Sequence, residues 1–327
     1  MTDGTEWCYA SGVVAVLEAS LLTPRAVAEL AEGAAVAAEL LAAARRSPAY
    51  ADAPASADDP LRAAAGLESA LVGFVRRFVG QCPDERVADV FLIEYDLRDL
   101  SNLLKSEHCG VERRPVELSR LAEEGVDGFL ASAPPFARVA EAAAEAGKDG
   151  RLHPSAIDLM MDGAFIEMLP GLTESLRSAV VDRWAAARGE SAAVLAVVRA
   201  RASGVDPADI HSHLLGRLAA GSKLAPLADA EPADVGKVVA GLLPAGLGGE
   251  FDAAAGAAAV QALAGRLDNE LERILDPARY VAFGPERVFR YLWQLFRENR
   301  NLRAALGGLA GRIEHGLVVG SMRGADV

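Results

Sequence analysis

Apolar residues recur along most of this chain at intervals of three and four, which is the spacing of one face of an α-helix. In the first segment Val14, Leu17 and Leu21 follow this spacing, and Thr23 before Pro24 has the form of an N-cap followed by proline. Long helices are predicted in the same way at 61–79, 84–105, 155–169, 251–275 and 285–305. No run alternates between apolar and polar residues as a strand would, so the sequence predicts an all-α fold.

Proline, glycine and small polar residues divide these helical stretches. Residues 51–59 have the composition of a loop, and Asp206 before Pro207 predicts another capped helix start. Glycine and proline break the pattern again at 243–249, and the polar end of the tail that begins at Gly307 is expected to fray. Three segments of similar character result, and we predict three helical units at 1–115, 116–215 and 216–327.

One short polar pattern is repeated within these helices, once in each predicted unit. An acidic residue, with a polar residue three positions on, runs into apolar residues at helical spacing. The first copy has Asp96 and Asp99, and the third has Glu298 and Asn301. A weaker middle copy aligns Glu190 with these acids but has Ala193 at the polar position. Similar helical units in series are more typical of a structural protein than of an enzyme.

Composition and charge narrow the class of protein. The chain is 51% hydrophobic but only 6% aromatic, a mixture that favours helix over sheet. A formal net charge of −13 argues against a general nucleic-acid binder and against attraction to anionic lipids. No stretch of eighteen uncharged apolar residues and no signal peptide is evident. The three cysteines lie far apart, which disfavours a disulfide framework and fits a reducing cytosol.

The usual motifs of cofactor and metal sites are missing from the sequence. Gly147-Lys148 lacks the flanking glycine and hydroxyl residue of a phosphate loop, and the glycines at 246–249 follow no strand. His211 and His213 lie two apart and so project from different faces of a helix. His108 beside Cys109 is no catalytic pair, because such partners come from distant positions. We therefore expect no cofactor, bound nucleotide or metal.

The paired polar residues of the repeat have two interpretations. Asp96 with Asp99, and Glu298 with Asn301, lie one helical turn apart on one face. Paired carboxyls such as Asp96 and Asp99 can perform acid–base chemistry in a suitable pocket. Arginine and lysine flank both copies, however, so ion pairs and hydrogen bonds between helices explain the residues more simply. The structural interpretation is favoured, and catalysis by the acidic pairs stays an alternative.

At these same residues the chain resembles the C-subunit family of V/A-type rotary ATPases, whose eukaryotic equivalent is the d-subunit of the V-ATPase. The run from Tyr95-Asp96 to Leu104-Lys105 is similar to one family motif, with Asp99 in place of its asparagine. The segment from Tyr291 to Arg303, with Glu298 and Asn301, resembles the C-terminal motif. Residues 157–165 resemble the lead into the second unit, with Asp158 or Asp162 as its aspartate. Ala193 departs from the asparagine that is usual in the middle copy.

The resemblance implies an all-α protein whose three similar units form a pseudo-threefold, funnel-like arrangement. It also implies a noncatalytic central-rotor component on the cytoplasmic face of the membrane, peripheral to the bilayer. Its partners would be the proteolipid subunits of the rotor ring and the D and F subunits of the central stalk, in ATP-linked proton or sodium transport. Neither nucleic acid nor nucleotide would bind to it directly. The alternative is a helical-repeat scaffold or adaptor in an unrelated complex.

Overall fold

The computed structural model describes residues 4–33, 36–55, 57–148, 152–218, 221–231, 233–243, 251 and 256–324. All regular structure in these ranges is helical, and they contain no strand. The prediction of an all-α chain is confirmed for this part of the protein. The three-unit division at 1–115, 116–215 and 216–327 and the funnel-like arrangement stay predictions.

The α-helices of the described ranges are numbered in chain order. The first eight are α1 (Cys8–Leu17), α2 (Pro24–Gly33), α3 (Ala37–Ala44), α4 (Pro60–Val79), α5 (Asp89–Cys109), α6 (Arg120–Ser132), α7 (Pro134–Gly147) and α8 (Pro154–Glu174). The others are α9 (Ala179–Ala202), α10 (Pro207–His213), α11 (Gly221–Ala228), α12 (Val235–Leu242), α13 (Ala257–Leu275), α14 (Pro285–Gly311) and α15 (His315–Ser321).

Local capping chemistry explains where several of these helices start. Thr23 Oγ1 accepts a hydrogen bond from Ala26 N at 3.1 Å at the start of α2. Asp206 Oδ1 accepts from Ala208 N at 2.8 Å at the start of α10. These side chains satisfy backbone N–H groups that have no partner within the helix, as the sequence predicted. The helix predicted from residue 84 instead begins at Asp89, because Asp84 caps a separate 3₁₀ turn, Glu85–Ala88.

The C-terminal region is more regular than the sequence suggested. The last long helix, α14, continues past Gly307 to Gly311, and the following segment forms α15. A Cβ atom on Gly308 would lie 2.4 Å from Val318 Cγ2, so this glycine lets α15 pack closely on α14. The polar end of the tail, for which the sequence predicts fraying, is described as far as residue 324, and Asn301 binds Arg323 within it. Residues 325–327 lie outside the described ranges, as do residues 252–255 of the helix predicted at 251–275.

The chain divides into two compact units, each assembled from separate stretches of sequence. Unit 1 comprises Met1–Phe91, Thr173–Trp184 and Gly265–Val327, and unit 2 comprises Leu92–Leu172 and Ala185–Ala264. In unit 1, α14 packs against α1, α2, α3, α4 and α15. Aromatic rings fill its centre, with Trp184 4.9 Å from Phe289 and 5.4 Å from Trp293 between ring centroids. Aromatic burial of this kind is a main source of stability for a helical core.

Unit 2 contains a helical hairpin whose first residues contact the middle of α5. The hairpin is formed by α6 and α7, where Phe129 stacks on Phe136 with 5.7 Å between the ring centroids. Both phenylalanines are fully buried. The guanidinium of Arg120, the first residue of α6, lies over the Phe129 ring at 5.3 Å. The start of α6 is therefore fixed by its own aromatic core as well as by the contacts with α5 described below.

None of the helices in the described ranges combines the length and the apolar character that crossing a bilayer requires.

Candidate functional site

The first polar pair, Asp96 and Asp99, lies in unit 2 on α5. Helical spacing puts both carboxyls on one face, and only 2% of Asp96 and 1% of Asp99 is exposed. Buried carboxylates are unfavourable unless they are hydrogen-bonded and paired with positive groups. The contacts of both residues are therefore what decides their role.

Asp96 caps the start of α6 from another helix. Its Oδ1 accepts a hydrogen bond from Arg120 N at 2.6 Å, and its Oδ2 accepts from Arg120 Nε at 2.8 Å. Ser119 occupies the N-cap position of α6, yet its side chain makes no capping hydrogen bond. Asp96 thus does what an N-cap side chain does, and its charge lies at the positive end of the α6 dipole.

Asp99 binds the residues just before α6. Its Oδ2 accepts from Ser119 Oγ at 2.5 Å, and its Oδ1 accepts from Val116 N at 3.1 Å. Arg113 approaches the same carboxyl at 3.9 Å. Together the first polar pair therefore holds residues 116–120 against α5. Burial raises the pKa of Asp96 above its ordinary value, and the contacts with Arg120 oppose that rise.

The third polar pair, Glu298 and Asn301, lies in unit 1 on α14. Only 3% of Glu298 and 1% of Asn301 is exposed. Asn301 makes a two-way contact with the segment after α15: Oδ1 accepts from Arg323 N at 2.7 Å, and Nδ2 donates to Arg323 O at 3.0 Å. This contact uses both the donor and the acceptor of the amide, which an aspartate could not do.

Glu298 reaches a different segment from Asn301. Its Oε2 accepts a hydrogen bond from Leu22 N at 3.1 Å, just before Thr23 caps α2. Burial raises the pKa of Glu298 to about 8, and the Leu22 hydrogen bond acts against that rise. The third polar pair therefore ties α14 to the start of α2 and to the end of the described chain.

The middle copy has a different place in the structure. Glu190 lies on α9 with an exposed side chain, while Ala193 is buried. The contacts of the other two copies have no counterpart at these residues in the described part of the chain.

Another acid of unit 2, Asp162 of α8, lies 2.9 Å from Arg199 of α9. Burial raises the pKa of Asp162 to about 6.

Arginines near the third polar pair bind acids on neighbouring elements of unit 1. Arg300 Nη1 lies 3.1 Å from Asp268 Oδ2 on α13. Arg303 of α14 forms an ion pair with Glu68 of α4. These pairs are between helices, as the flanking arginines in the sequence suggested. Partly buried ion pairs of this kind orient packed helices.

The other chemically notable residues are engaged in local contacts. His211 Nε2 lies 2.8 Å from Asp229 Oδ1, a pair that joins α10 to the residue after α11. His153 Nδ1 contacts Ser155 Oγ at 2.6 Å at the start of α8. Cys8, Cys82 and Cys109 are free thiols. Within the described ranges, no three histidine, cysteine, aspartate or glutamate side chains come together in a group that could hold a metal ion.

Sequence reasoning found the helix-borne members of the polar pairs but missed the segments they bind. Leu22 and Arg323 contribute backbone groups, and these leave no side-chain signal in a sequence. Ser119 did carry a signal, because serine before a helix is typical of an N-cap, but its hydroxyl donates to Asp99. The arrangement is suited to holding helix ends together.

Comparison with known protein families finds a family model that matches nearly the whole length of the chain. The model of the family described as ATP synthase (C/AC39) subunit matches residues 10–315, a range that contains both buried polar pairs. Among the curated proteins, none matches this chain.

Proposed function

This chain belongs to the ATP synthase (C/AC39) subunit family, and from that premise we propose that it is a noncatalytic central-rotor component of a V/A-type ATPase or ATP synthase. It couples the central stalk, made of the D and F subunits, to the proteolipid ring of the membrane rotor. The coupling serves ATP-linked transport of protons or sodium. The family match over residues 10–315 is the observation that carries the proposal.

In this proposal the protein lies on the cytoplasmic face of the membrane and is peripheral to it through the ring. Three similar helical units, at 1–115, 116–215 and 216–327, form a pseudo-threefold, funnel-like arrangement around the end of the stalk. A part that transmits torque needs stiff elements and fixed helix ends. Long helices such as α14, tied by Glu298 and Asn301 to distant segments, supply such stiffness.

The contacts of the buried polar pairs support a noncatalytic role. Asp96 and Asp99 are occupied by Arg120, Ser119 and Val116. An acid–base catalyst has to reach a proton of its substrate, and these carboxyls are buried against their own chain.

The exposed side of α1 is apolar, as expected for a surface that a neighbouring subunit covers in a complex. This helix has no charged residue and exposes 65% of Tyr9 and 74% of Val16.

The test of this function is an affinity pull-down of the tagged protein from gently solubilised native membranes, with mass spectrometry of the partners. We expect the ring, stalk and catalytic-head subunits to be recovered together. Recovery of an unrelated set of proteins would overturn the rotor proposal and favour a helical adaptor.

A pair of matched variants sharpens the same experiment. Val16→Glu puts a charge on the exposed side of α1, and Leu61→Glu puts one on α4, where Leu61 is 61% exposed. Both positions tolerate charge in the isolated protein, so neither variant should change its melting curve. We expect Val16→Glu to lower the recovery of partner subunits and Leu61→Glu to leave it unchanged. Equal recovery in both variants would contradict a role of α1 in assembly.

A further inference from the structure

Glu298 stands apart from the other buried acids of the described ranges because it has no positive partner there. The remaining four each lie within 4 Å of an arginine: Asp96 with Arg120, Asp99 with Arg113, Asp268 with Arg300, and Glu68 with Arg303. Glu298 accepts one hydrogen bond, from Leu22 N, and its Oε1 has no hydrogen-bond partner among the described residues. Its carboxyl is therefore surrounded by protein but not neutralised by it.

Several charged groups on and near the elements that pack around α14 pair with one another. Glu18, which precedes Leu22, lies 3.3 Å from Arg287 and 3.2 Å from Arg290. On α2, Arg25 pairs with Glu29 at 2.8 Å, and both side chains are exposed. Further ion pairs in these surroundings join Arg297 to Glu272, Arg303 to Glu68 of α4, and Arg323 to Asp268. Tyr50 and Tyr291 are buried in the same unit, and the helices packed on α14 also carry Cys8, Tyr9, Glu32, Glu39, Arg62, Arg76, Arg77 and His315. Glu298 contributes to the raised pKa of Tyr291, whose main cause is burial.

A buried carboxyl without a cation is more stable as the neutral acid, because desolvation penalises only the charged form strongly. The raised pKa of Glu298, about 8, agrees with this geometry. Both forms can accept the hydrogen bond from Leu22 N. Only the neutral form can do so without an uncompensated charge in the core.

Apart from the Glu298 hydrogen bond, the segment is held by the packing of α2 on α14 and α15, which buries few side chains of α2. Helix α2 is ten residues long, and Val27 is its one fully buried residue. Elements with few buried apolar side chains open at low free energy compared with the global unfolding of a domain. Movement of this segment away from α14 would give the Glu298 carboxyl access to water.

We propose that Glu298 is a proton-controlled latch that holds Leu22 and the start of α2 on α14 while it carries a proton, and releases them when the proton is lost. The protonated carboxyl keeps the segment docked. The carboxylate is stabilised by water in the open state, so deprotonation and opening favour each other. Since the docked state binds the proton more tightly, opening increases as the pH rises toward 8 and levels off above it.

The test is hydrogen exchange of the α2 amides from pH 5 to pH 9, expressed as protection relative to the intrinsic exchange rate at each pH. In the wild type we expect the opening constant to rise by up to about tenfold for each pH unit below the pKa of Glu298. Glu298→Gln keeps an acceptor oxygen for Leu22 N but cannot ionise, so its α2 protection should be independent of pH. Glu190→Gln, at the exposed acid of the middle copy, should retain the wild-type profile.

Any of three results of the exchange experiment would overturn the latch. The first is that protection of the α2 amides in the wild type stays constant from pH 5 to pH 9. The second is that Glu298→Gln keeps the same pH dependence of α2 protection as the wild type. Loss of protection in α4 parallel to that in α2 would indicate unfolding of the unit rather than local release. Carbon-13 NMR of labelled glutamate carboxyls in the wild type gives a check that needs no variant. One carboxyl must titrate near pH 8, and a set in which all titrate near the ordinary value contradicts the proposal.

Discussion

The first and third polar pairs have the same spacing on their helices but different electrostatic surroundings. Asp96 and Asp99 bind one continuous segment, residues 116–120, where Arg120 and a helix N-terminus compensate the charge. Glu298 and Asn301 bind two separate segments, and among the described residues the Glu298 carboxyl accepts its one hydrogen bond from Leu22 N. A repeated sequence pattern can therefore keep its role of fixing helix ends while the protonation chemistry of its acid changes.

Among the substitutions compared at a single pH, the largest loss of stability should come from removing Asp99, the acid with the most polar contacts. Asp99→Ala leaves the buried Ser119 hydroxyl and Val116 N–H without their acceptor. We expect the free energy of unfolding in urea to fall by about 3 kcal/mol, within the range for broken buried polar networks. A loss below about 0.5 kcal/mol, the usual scale of surface substitutions, would contradict a structural role for the first polar pair.

A smaller loss of stability should follow when Asn301 is replaced by aspartate, which gives the third polar pair two carboxyls like the first. Asn301→Asp keeps the acceptor for Arg323 N but removes the donor to Arg323 O, and it buries a carboxylate beside that carbonyl. The expected cost is about 2 kcal/mol in urea unfolding. Asn102 donates to Arg114 O at 2.7 Å from a more exposed position, so Asn102→Asp serves as the matched control. Equal costs for the two variants would show that burial of the Asn301 contact is unimportant.

The pH dependence of stability separates Glu298 from the other acids. The folded-state pKa of Glu298 lies above its unfolded value, so the folded protein binds this proton more tightly and loses stability as the pH rises from about 5 to about 8. Relative to Glu298→Gln, the wild type should lose up to about 1.4 kcal/mol for each pH unit in that window. Urea unfolding at several pH values measures this difference. A difference that does not vary with pH would mean that Glu298 is already charged in the fold.

Truncation of Glu298 tests its structural role at one pH. Glu298→Ala removes the acceptor for Leu22 N and leaves a small cavity, and the expected loss is about 1–2 kcal/mol at pH 7. This loss is smaller than that for Asp99→Ala, because an uncompensated carboxyl disappears with the hydrogen bond. An unchanged melting curve together with normal assembly would show that the third polar pair has no structural role.

The smallest effect belongs to the middle copy. Glu190 is exposed on α9, and Glu190→Ala should change the free energy of unfolding by less than about 0.5 kcal/mol. A loss comparable to that of Asp99→Ala would place Glu190 in a contact like those of the other two copies.

Local chemistry made much of the fold predictable from the sequence. Thr23 and Asp206 each act within three residues of themselves, so the helix starts that they cap could be identified by spacing alone. The extension of α14 through Gly307 and Gly308 could not, because glycine is a poor helix former. At Gly308 the reason for glycine is the close approach of Val318, a tertiary contact.

The candidate site was predictable only on its helical side. The spacing of Asp96 with Asp99, and of Glu298 with Asn301, indicated that each pair shares a helix face. The partners of Glu298 and Asn301 are backbone groups of Leu22 and Arg323, whose positions depend on how distant segments pack. The exposure of Glu190 also depends on how helices pack, so the repeat in the sequence could not reveal that this residue faces solvent.

A double-mutant cycle between Asp99 and Ser119 measures whether the first polar pair acts by holding the segment that it binds. Urea unfolding of the wild type, Asp99→Ala, Ser119→Ala and the double variant gives the coupling energy between the two side chains, which are joined by a 2.5 Å hydrogen bond. We predict a coupling of about 1–2 kcal/mol, because either substitution alone leaves a buried polar group without its partner. Losses that add to within about 0.3 kcal/mol would contradict a role of the polar pair in holding this segment.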